Sequence, residues 1–319
     1  MSVPKFKANT IALPLHFLDG DLSKELGFDV YIKAGGKAVL YCRGDDIRLK
    51  ERIDRLKSKE SVSHFLVVED QYASFLNHLS KDLGKVFETD PEQKVEDQVE
   101  SIYQQQKSLL MIYGSNIQSK EYYSVLRGTC SLFYSFFCEN PKALGHLLLK
   151  LNVGSEPEEL WAGHAIKTAA LSSRLISELA DEAGKPIFEI LQGAFLHDIA
   201  FTKAPWDLKT EDPKKNPTYK DHPRLGAEML NLDFVNPWVK TVINRHEEHV
   251  DGSGFPEGVR NEDIDPAILC VAVANAFDRF KTLEGLSTEA ALKKMLIEKM
   301  GAYPLPVLQK LQSIIKGLN

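Results

Sequence analysis

The sequence predicts an α+β protein in which a small α/β module precedes an all-helical domain. Two strand-like runs, 28–34 and 37–42, are separated by Gly35-Gly36, a dipeptide that suits a tight hairpin turn. Residues 95–140 contain no proline and only two glycines, as expected of long helices. Beyond about residue 150 the apolar residues recur at helical spacing, which predicts an all-α domain.

The N-terminal module, residues 1–88, is expected to be a regulatory or sensory unit, because its histidines are isolated and no catalytic constellation appears in it. Alternating and β-branched patterns indicate strands, and charges spaced around apolar positions indicate surface helices. The expected apolar or strand-like runs are 11–18, 28–34, 37–42 and 65–68, and the expected helices are 47–56 and 72–83.

The middle and C-terminal parts are both expected to be helical. Residues 89–149 are predicted to form a helical linker, whose aromatic-rich stretch Leu132–Phe137 suits core packing or the seam of a homodimer. In residues 150–319, Pro237 after Asn236 and Pro266 after Asp265 are typical of a first-turn proline that follows an N-cap.

Composition excludes several classes of protein. With 319 residues, 43% hydrophobic and 26% charged, the chain has enough apolar material for packed cores. A net charge of −6 argues against a DNA-binding or polybasic membrane-binding role. Apolar runs are too short for a membrane span. Four cysteines without paired spacing are interpreted as reduced thiols in a cytoplasmic protein.

Candidate chemistry is concentrated in the helical domain. Five of the nine histidines lie between residues 164 and 249, and several of them adjoin carboxylates. Imidazole and carboxylate ligands together suit a divalent transition metal. Helical spacing places His164, Asp198 and His246 on apolar stripes, where an unpaired polar group costs about 1–3 kcal/mol. A shared metal centre satisfies all three.

An ordered series of motifs resembles the HD-GYP family, whose members are metal-dependent phosphodiesterases that hydrolyse the bacterial messenger cyclic di-GMP. The series comprises His164, then His197-Asp198, then His222-Pro223 with Gly226, then His246–Pro256 with its Asp-Gly-Ser-Gly-Phe-Pro loop. The resemblance covers about residues 150–319, including the tail 301–306. It implies an HD-type helical bundle, and the N-terminal module is similar to the sensory segments that such proteins carry.

The resemblance also implies a set of metal ligands. Leu160 stands where members with three metals carry Glu, so two divalent ions are expected, iron first and manganese next. The implied ligands are His164, His197, Asp198, His222, His246, Glu247 and Asn275. Glu247 replaces a histidine of the family pattern, and Asn275 replaces an aspartate. Asp278 and Asp251 are expected to hold a ligand in place, and both are also candidate ligands.

Other departures concern the part of the site that holds substrate. Phe255 replaces the tyrosine of the family's GYP motif, and Phe201 occupies the position of its substrate-facing lysine. Lys167 stands where an arginine is common, and the arginine-containing segment after the last ligand helix is replaced by Thr282–Leu286. The sequence therefore indicates an atypical member that retains the metal centre and has fewer substrate-binding groups.

The first hypothesis is hydrolysis of cyclic di-GMP at a binuclear site. Asp198 would bridge the ions, and a hydroxide bridging them would attack phosphorus in line with the 3′-oxygen. Lys203 or Lys167 would assist by neutralising charge. The product would be the linear dinucleotide, or GMP after a second cut.

Two alternatives stay open from the sequence. One is a catalytically weak or inactive protein that holds metal, senses cyclic di-GMP and contacts a signalling partner through the loop formed by Gly252, Ser253, Gly254, Phe255 and Pro256. The same glycines and proline also suit a rigid turn without a partner. The other alternative keeps the fold and changes the substrate to another cyclic dinucleotide or a nucleotide phosphate.

Overall fold

The computed structural model contains two compact units, residues 1–86 and 87–319. The structure describes residues 10–18, 26–59, 61–88, 93–154, 156–179, 185–203, 217–260 and 264–318. The expected boundary after residue 88 adjoins residues 89–92, which lie outside the described ranges.

The first unit has a four-stranded antiparallel sheet and two helices. The strands are β1 (Thr10–Pro14), β2 (Val30–Ala34), β3 (Lys37–Cys42) and β4 (His64–Val68), and the helices are α1 (Leu49–Lys57) and α2 (Tyr72–Lys85). The sheet order is β1-β4-β2-β3, which makes β3 an edge strand. Gly35 and Gly36 both adopt positive φ, 56° and 76°, so the predicted hairpin turn is confirmed.

Apolar side chains from the sheet and helices form the core of this unit. The ring of Phe75 from α2 packs edge-on against Phe28 and Phe65, with centroids 5.5 and 6.2 Å apart. Residues 15–18, expected to continue the first apolar run, form a 3-10 turn that follows Pro14. The expected α+β class is confirmed, and all strand pairs of the sheet are antiparallel.

The second unit is a bundle of helices joined by loops in the part of it that the structure describes. Its helices are α3 (Val95–Ser115), α4 (Lys120–Glu139), α5 (Pro141–Gly145), α6 (Pro157–Leu179), α7 (Ile187–Leu196), α8 (His222–Met229), α9 (Pro237–Arg245), α10 (Pro266–Asp278), α11 (Thr288–Glu298) and α12 (Leu305–Gly317). Among the described residues, none of the helices combines the length and apolar character that crossing a membrane requires.

Two predicted N-caps are confirmed in this unit. The side chain of Asn236 accepts a hydrogen bond from the backbone N–H of Trp238 at 2.9 Å, at the start of α9. Asp265 accepts from Ala267 N–H at 2.8 Å, at the start of α10. Each cap uses an N–H that has no partner within the helix, and the proline that follows has no N–H to satisfy.

The segment expected as a linker, residues 89–149, contributes to the core of the second unit. The amide of Gln192 on α7 donates to the carbonyl of Tyr123 on α4 at 3.1 Å. The rings of Phe133 on α4 and Phe195 on α7 lie with their centroids 4.9 Å apart. The aromatic stretch of α4 is therefore partly used for internal packing against the helix that leads to the His-Asp pair.

An ion-pair cluster joins α6 to α12. Glu178 contacts Arg174 at 2.6 Å and Lys310 at 2.8 Å. Burial raises the pKa of Glu178, but Lys310 and Arg174 outweigh that effect and hold the pKa below its ordinary value of 4.5. A lowered folded pKa adds stability above about pH 4.5, which is lost as pH falls through the folded value.

We expect Glu178→Gln to lower the free energy of unfolding by about 0.5 kcal/mol at pH 7, the screened value of a surface ion pair. The difference should shrink as pH falls through the folded pKa of Glu178, because the wild-type side chain then becomes neutral as well. Urea unfolding followed by tryptophan fluorescence reports on this unit, because all three tryptophans lie within it. Glu139→Gln, at an exposed position of α4, is the control and should change stability less at pH 7.

Candidate metal centre

The predicted ligands converge from five segments of the helical unit. His164 lies within α6, the His197-Asp198 pair follows α7, His222 begins α8, His246-Glu247 follows α9 and Asn275 lies within α10. The four imidazoles and Asp198 are fully buried. Two overlapping groups have their potential ligand atoms within 4.8 Å of one another: His164, His197 and Asp198, and Asp198, His222 and His246.

The ends of helices, rather than their middles, position three of these histidines. The sequence placed Asp198 and His246 on helical stripes, whereas α7 ends at Leu196 and α9 at Arg245. Each imidazole donates from Nδ1 to the carbonyl three residues earlier, an acceptor of the kind that helix ends leave without an intrahelical partner. The pairs are His197 with Ala194 at 2.8 Å, His222 with Tyr219 at 2.7 Å and His246 with Ile243 at 2.7 Å.

His164 is held by a carboxylate instead. Its Nδ1 lies 2.7 Å from Oδ2 of the fully buried Asp278. The other oxygen of Asp278 accepts from the hydroxyl of Thr282 at 2.9 Å. A carboxylate acceptor fixes the tautomer of a ligating imidazole and raises its basicity. Of the roles considered for Asp278 from the sequence, the structure favours holding His164 in place.

The two oxygens of Asp198 each face one pair of imidazoles. Oδ2 lies 3.3 Å from Nε2 of His197 and 3.7 Å from Nε2 of His164. Oδ1 lies 3.1 Å from Nε2 of His222 and 3.4 Å from Nε2 of His246. Burial alone raises the pKa of Asp198, whereas positive charge on the surrounding imidazoles, that of His197 foremost, holds it well below its usual range. The carboxylate is therefore an anion at the centre of four ring nitrogens.

This arrangement leaves many lone pairs directed at one another. In each neutral imidazole the proton on Nδ1 is already donated, so Nε2 carries a lone pair. The Nε2 atoms of His164 and His197 are 3.2 Å apart, and those of His222 and His246 are 2.9 Å apart. Although the four Nε2 atoms lie close by, neither oxygen of Asp198 has a well-aligned hydrogen-bond partner among the described residues.

A cation held by His164 and His197, or by His222 and His246, would replace the repulsion between their lone pairs by coordination. Ligand atoms bonded to one transition metal at ~2.1 Å lie about 3 Å apart, as these atoms do. The donor set of imidazole nitrogen and carboxylate oxygen suits such an ion. The residues present therefore fit divalent metals on both sides of Asp198.

Glu247 and Asn275 extend the donor set. The carboxylate of Glu247 accepts from the hydroxyl of Tyr219 and from the side-chain amide of Asn275, both at 3.1 Å. Because the amide nitrogen of Asn275 faces Glu247, its oxygen is directed at Nε2 of His164, 2.9 Å away. Burial raises the pKa of Glu247, but Arg279, followed by the imidazoles, lowers it to about 2. Glu247 therefore contributes a second negative charge.

Close helix packing sets the distance between the His-Asp pair and His246. A methyl group at Gly193 on α7 would lie only 2.5 Å from Cβ of Val242 on α9. We expect Gly193→Ala to reduce the free energy of unfolding by about 1–3 kcal/mol through overpacking and to weaken metal binding, measured by urea unfolding and metal titration.

Gly128→Ala is the matched control for this prediction. Gly128 lies in α4, where an added methyl group meets nothing within 4 Å. The control should stabilise the protein by about 0.5–1 kcal/mol, because alanine is the better helix former. If both variants had the same effect, the close contact would not be the cause. Adding Val242→Ala to Gly193→Ala should restore part of the loss.

The glycine-containing loop after His246 is anchored as a rigid turn. The buried carboxylate of Glu248 accepts from the backbone N–H groups of Glu257 at 2.7 Å, Gly258 at 3.2 Å and Val259 at 3.1 Å. Asp251 is exposed and accepts from Ser253 N–H at 2.9 Å. Asp251 was expected to orient a ligand. That role belongs to Asp278 and three backbone carbonyls, because these groups are the partners of all four imidazole Nδ1 atoms.

Aromatic rings cover one side of the cluster. Phe201 lies 5.0 Å from the His222 ring, and Tyr219 lies 4.7 Å from it, between ring centroids. Phe255, from the loop, lies 5.7 Å from Tyr219. The two phenylalanines that replace polar residues of the family pattern therefore stand beside the imidazoles of one half of the site.

A cationic side chain other than the two lysines expected from the sequence lies near the site. Lys167 is buried and its ammonium donates to the carbonyl of Leu151 at 2.9 Å, while Lys203 is exposed. Instead, the guanidinium of Arg279 lies 5.0 Å from the centroid of the Tyr219 ring. Arg279 and Tyr219 were missed from the sequence. The sequence offered one signal for each: Arg279 follows Asp278 directly, and Tyr219 lies three residues before His222.

Three comparisons relate this chain to known proteins. A family model described as HD domain matches residues 152–301. A cyclic di-GMP phosphodiesterase of Thermotoga maritima is 30% identical over 154 residues, and cyclic di-GMP phosphodiesterase PA4108 of Pseudomonas aeruginosa is 27% identical over 176 residues. These alignments cover 45% and 47% of this chain, and 40% and 42% of the relatives. The chain thus spans less than half the length of either relative.

One solved structure resembles nearly the whole chain. It is Bd1817, a HDG"Y"P protein from Bdellovibrio bacteriovorus, with a TM-score of 0.70 and 27% sequence identity. The match covers 97% of this chain and 100% of the other. The similarity therefore includes the N-terminal unit as well as the helical one.

Proposed function

Because the chain belongs to the HD-GYP family, we propose that it hydrolyses the phosphodiester bond of cyclic di-GMP at a binuclear metal centre. The observation that carries the proposal is the pair of imidazole couples that face the two oxygens of Asp198. A buried carboxylate surrounded by four ring nitrogens is costly without cations and well suited to them.

One ion would be held by His164, His197 and Asn275, and the other by His222, His246 and Glu247, with Asp198 shared between them. The directed oxygen of Asn275 and the ionised carboxylate of Glu247 support this division. The resemblance to the HD-GYP family implies iron first and manganese next, and nitrogen and oxygen donors without cysteine suit both ions. When bound, two such ions acidify a water molecule and neutralise charge on the phosphoryl oxygens.

The chain's own residues would prepare the site in three ways. Asp278 and the three backbone carbonyls hold every imidazole with Nε2 directed inward. Phe201, Tyr219 and Phe255 restrict water beside His222 and offer apolar faces to a nucleobase. Arg279 adds a positive charge near Glu247, which favours the approach of an anionic diester.

The second candidate is a metal-containing sensor or adaptor for cyclic di-GMP. The exposed Lys203 and the engaged ammonium of Lys167 favour it, because both cations expected to assist catalysis are committed elsewhere or face solvent. In this role the anchored loop 252–256 would present Phe255 and its neighbours to a signalling partner, and α4 would suit a homodimer.

A single experiment separates the two functions. The full chain, loaded with iron(II) or manganese(II), is incubated with cyclic di-GMP while binding and product are measured together. Multiple turnovers to the linear dinucleotide or GMP support hydrolysis. Tight binding without product supports the sensor, and neither binding nor product contradicts both. Cyclic di-AMP in a parallel reaction tests the choice of substrate, and elemental analysis counts the ions.

A further inference from the structure

A basic cavity lies in the N-terminal unit, in a part of the chain for which the metal centre provides no role. Its volume is about 290 Å³, close to the lower end of small-molecule sites. The residues that line it, four of them cationic and one acidic, are Tyr41, Arg48, Glu51, Arg52, Arg55 and Lys59. A concave surface of this size accommodates one phosphate group with a sugar or base, but is small for a dinucleotide.

Helix α1 explains why the cations gather there. Leu49, Ile53 and Leu56 are buried in the core, which fixes the rotation of the helix. The cations then recur at steps of four, three and four residues around the helix and just beyond its ends, so they form a single stripe. Like charges at such spacing repel one another, and an anionic ligand would relieve that repulsion.

The floor of the cavity is fixed before any ligand arrives. Tyr41 on the edge strand donates its hydroxyl proton to the carbonyl of Arg52, and the guanidinium of Arg52 donates to the carbonyl of Tyr41, both at 3.0 Å. Asp46 holds Nε of Arg52 at 2.9 Å. These contacts orient Arg52 without occupying its remaining nitrogen, a form of pre-organisation that lowers the cost of binding.

Several donors on the wall remain available for an anion. Among the residues that the structure describes, neither Arg48 nor Lys59 has an ion-pair partner, and the ammonium of Lys59 lies 5.9 Å from the Tyr41 ring centroid. Arg55 contacts Glu51 at 2.9 Å, but both side chains are mostly exposed, so this pair is weak. Guanidinium groups match phosphate oxygens in two-pronged geometry.

We propose that this cavity, the α1 pocket, binds the phosphate group of a small phosphorylated ligand such as a nucleoside monophosphate. Arg48, Arg52 and Lys59 contact the phosphate, and Tyr41 borders the remainder of the ligand. The proposal is independent of metal binding and hydrolysis in the helical unit. It gives the N-terminal unit a chemical signal to read.

The test uses the full chain and two probes, inorganic phosphate and GMP, followed by backbone amide NMR. We expect saturable shifts of amides within residues 41–59 for both probes, with GMP binding more tightly if the base contributes. Arg48→Glu with Lys59→Glu should weaken binding at least tenfold. The control pair, Lys50→Glu with Lys81→Glu, carries the same change in net charge at exposed positions outside the cavity and should change affinity less than twofold.

Several outcomes would overturn the proposal. The first is the absence of a saturable shift of amides within residues 41–59 up to ~10 mM probe, and the second is a set of shifts confined to the helical unit. The third is equal weakening of binding in the control pair, which would indicate diffuse charge attraction. Binding only to vesicles of anionic phospholipid would point to a membrane surface instead. If the charge-reversal pair melts earlier than wild type, Arg48→Gln with Lys59→Gln replaces it and should still weaken binding.

Discussion

Replacing Asp198 by asparagine is expected to lower the rate of cyclic di-GMP hydrolysis on the order of a thousandfold, or ~4 kcal/mol of transition-state stabilisation. The substitution keeps the size of the side chain and removes the negative charge that faces all four imidazoles. Metal content should fall below two ions per chain. Turnover rates and elemental analysis of the same preparation measure both effects.

The metal-free form of this variant provides a second measurement. The pKa of Asp198 is held well below its usual range, so its charged form favours the folded state, and its neutral replacement should lower the stability of the metal-free protein at pH 7. Asp251→Asn is the matched control, since that carboxylate is exposed and bonds only locally to Ser253 N–H. Wild-type turnover in the Asp198 variant would show that this carboxylate has no part in the reaction.

Replacing Asp278 by alanine should weaken metal binding about 10–100-fold, the usual effect of removing the group that holds a ligating histidine. The loss should concern the ion beside His164, because Asp278 contacts Nδ1 of that imidazole at 2.7 Å. The ion between His222 and His246 should be retained. Stepwise metal titration by calorimetry distinguishes the two sites.

A conservative variant shows whether Asp278 acts through His164. Asp278→Asn keeps an acceptor oxygen for the Nδ1 proton and should recover part of the lost affinity. Thermal melting of the metal-free proteins shows whether alanine simply disrupts the core. Equal loss of both ions, or no difference between alanine and asparagine, would contradict a role confined to His164.

The elements of secondary structure followed from short-range patterns. The hairpin at Gly35-Gly36 needs positive φ, which glycine adopts without strain, and the caps at Asn236 and Asp265 need only a side-chain oxygen near a free N–H. These effects act over a few residues, so the sequence alone reveals them. Helical spacing placed His164, Asp198 and His246 on apolar stripes, and the resemblance to the HD-GYP family supplied the rest of the ligand set.

Partners distant in sequence could not be read so directly. Lys167 was expected to assist by neutralising charge, yet its ammonium bonds to the carbonyl of Leu151, and Arg279 brings its charge near Glu247 instead. The segment 89–149 was expected to link two domains, yet α4 packs against α7. Side-chain direction depends on the surrounding helices, and that information is absent from local spacing.

The sequence by itself determined the helices and the hairpin, because each depends on neighbours within a few residues. Its ordered motifs, through the family resemblance, also implied the set of imidazole and carboxylate groups. The tertiary structure decided which atoms meet. It set Asp198 between two pairs of Nε2 atoms, assigned Asp278 to His164 and left Asp251 in solvent. The contacts of Asp198 and Asp278 with the imidazoles join separate helices, 114 residues apart for His164 and Asp278, and only the packing of whole helices brings these groups together.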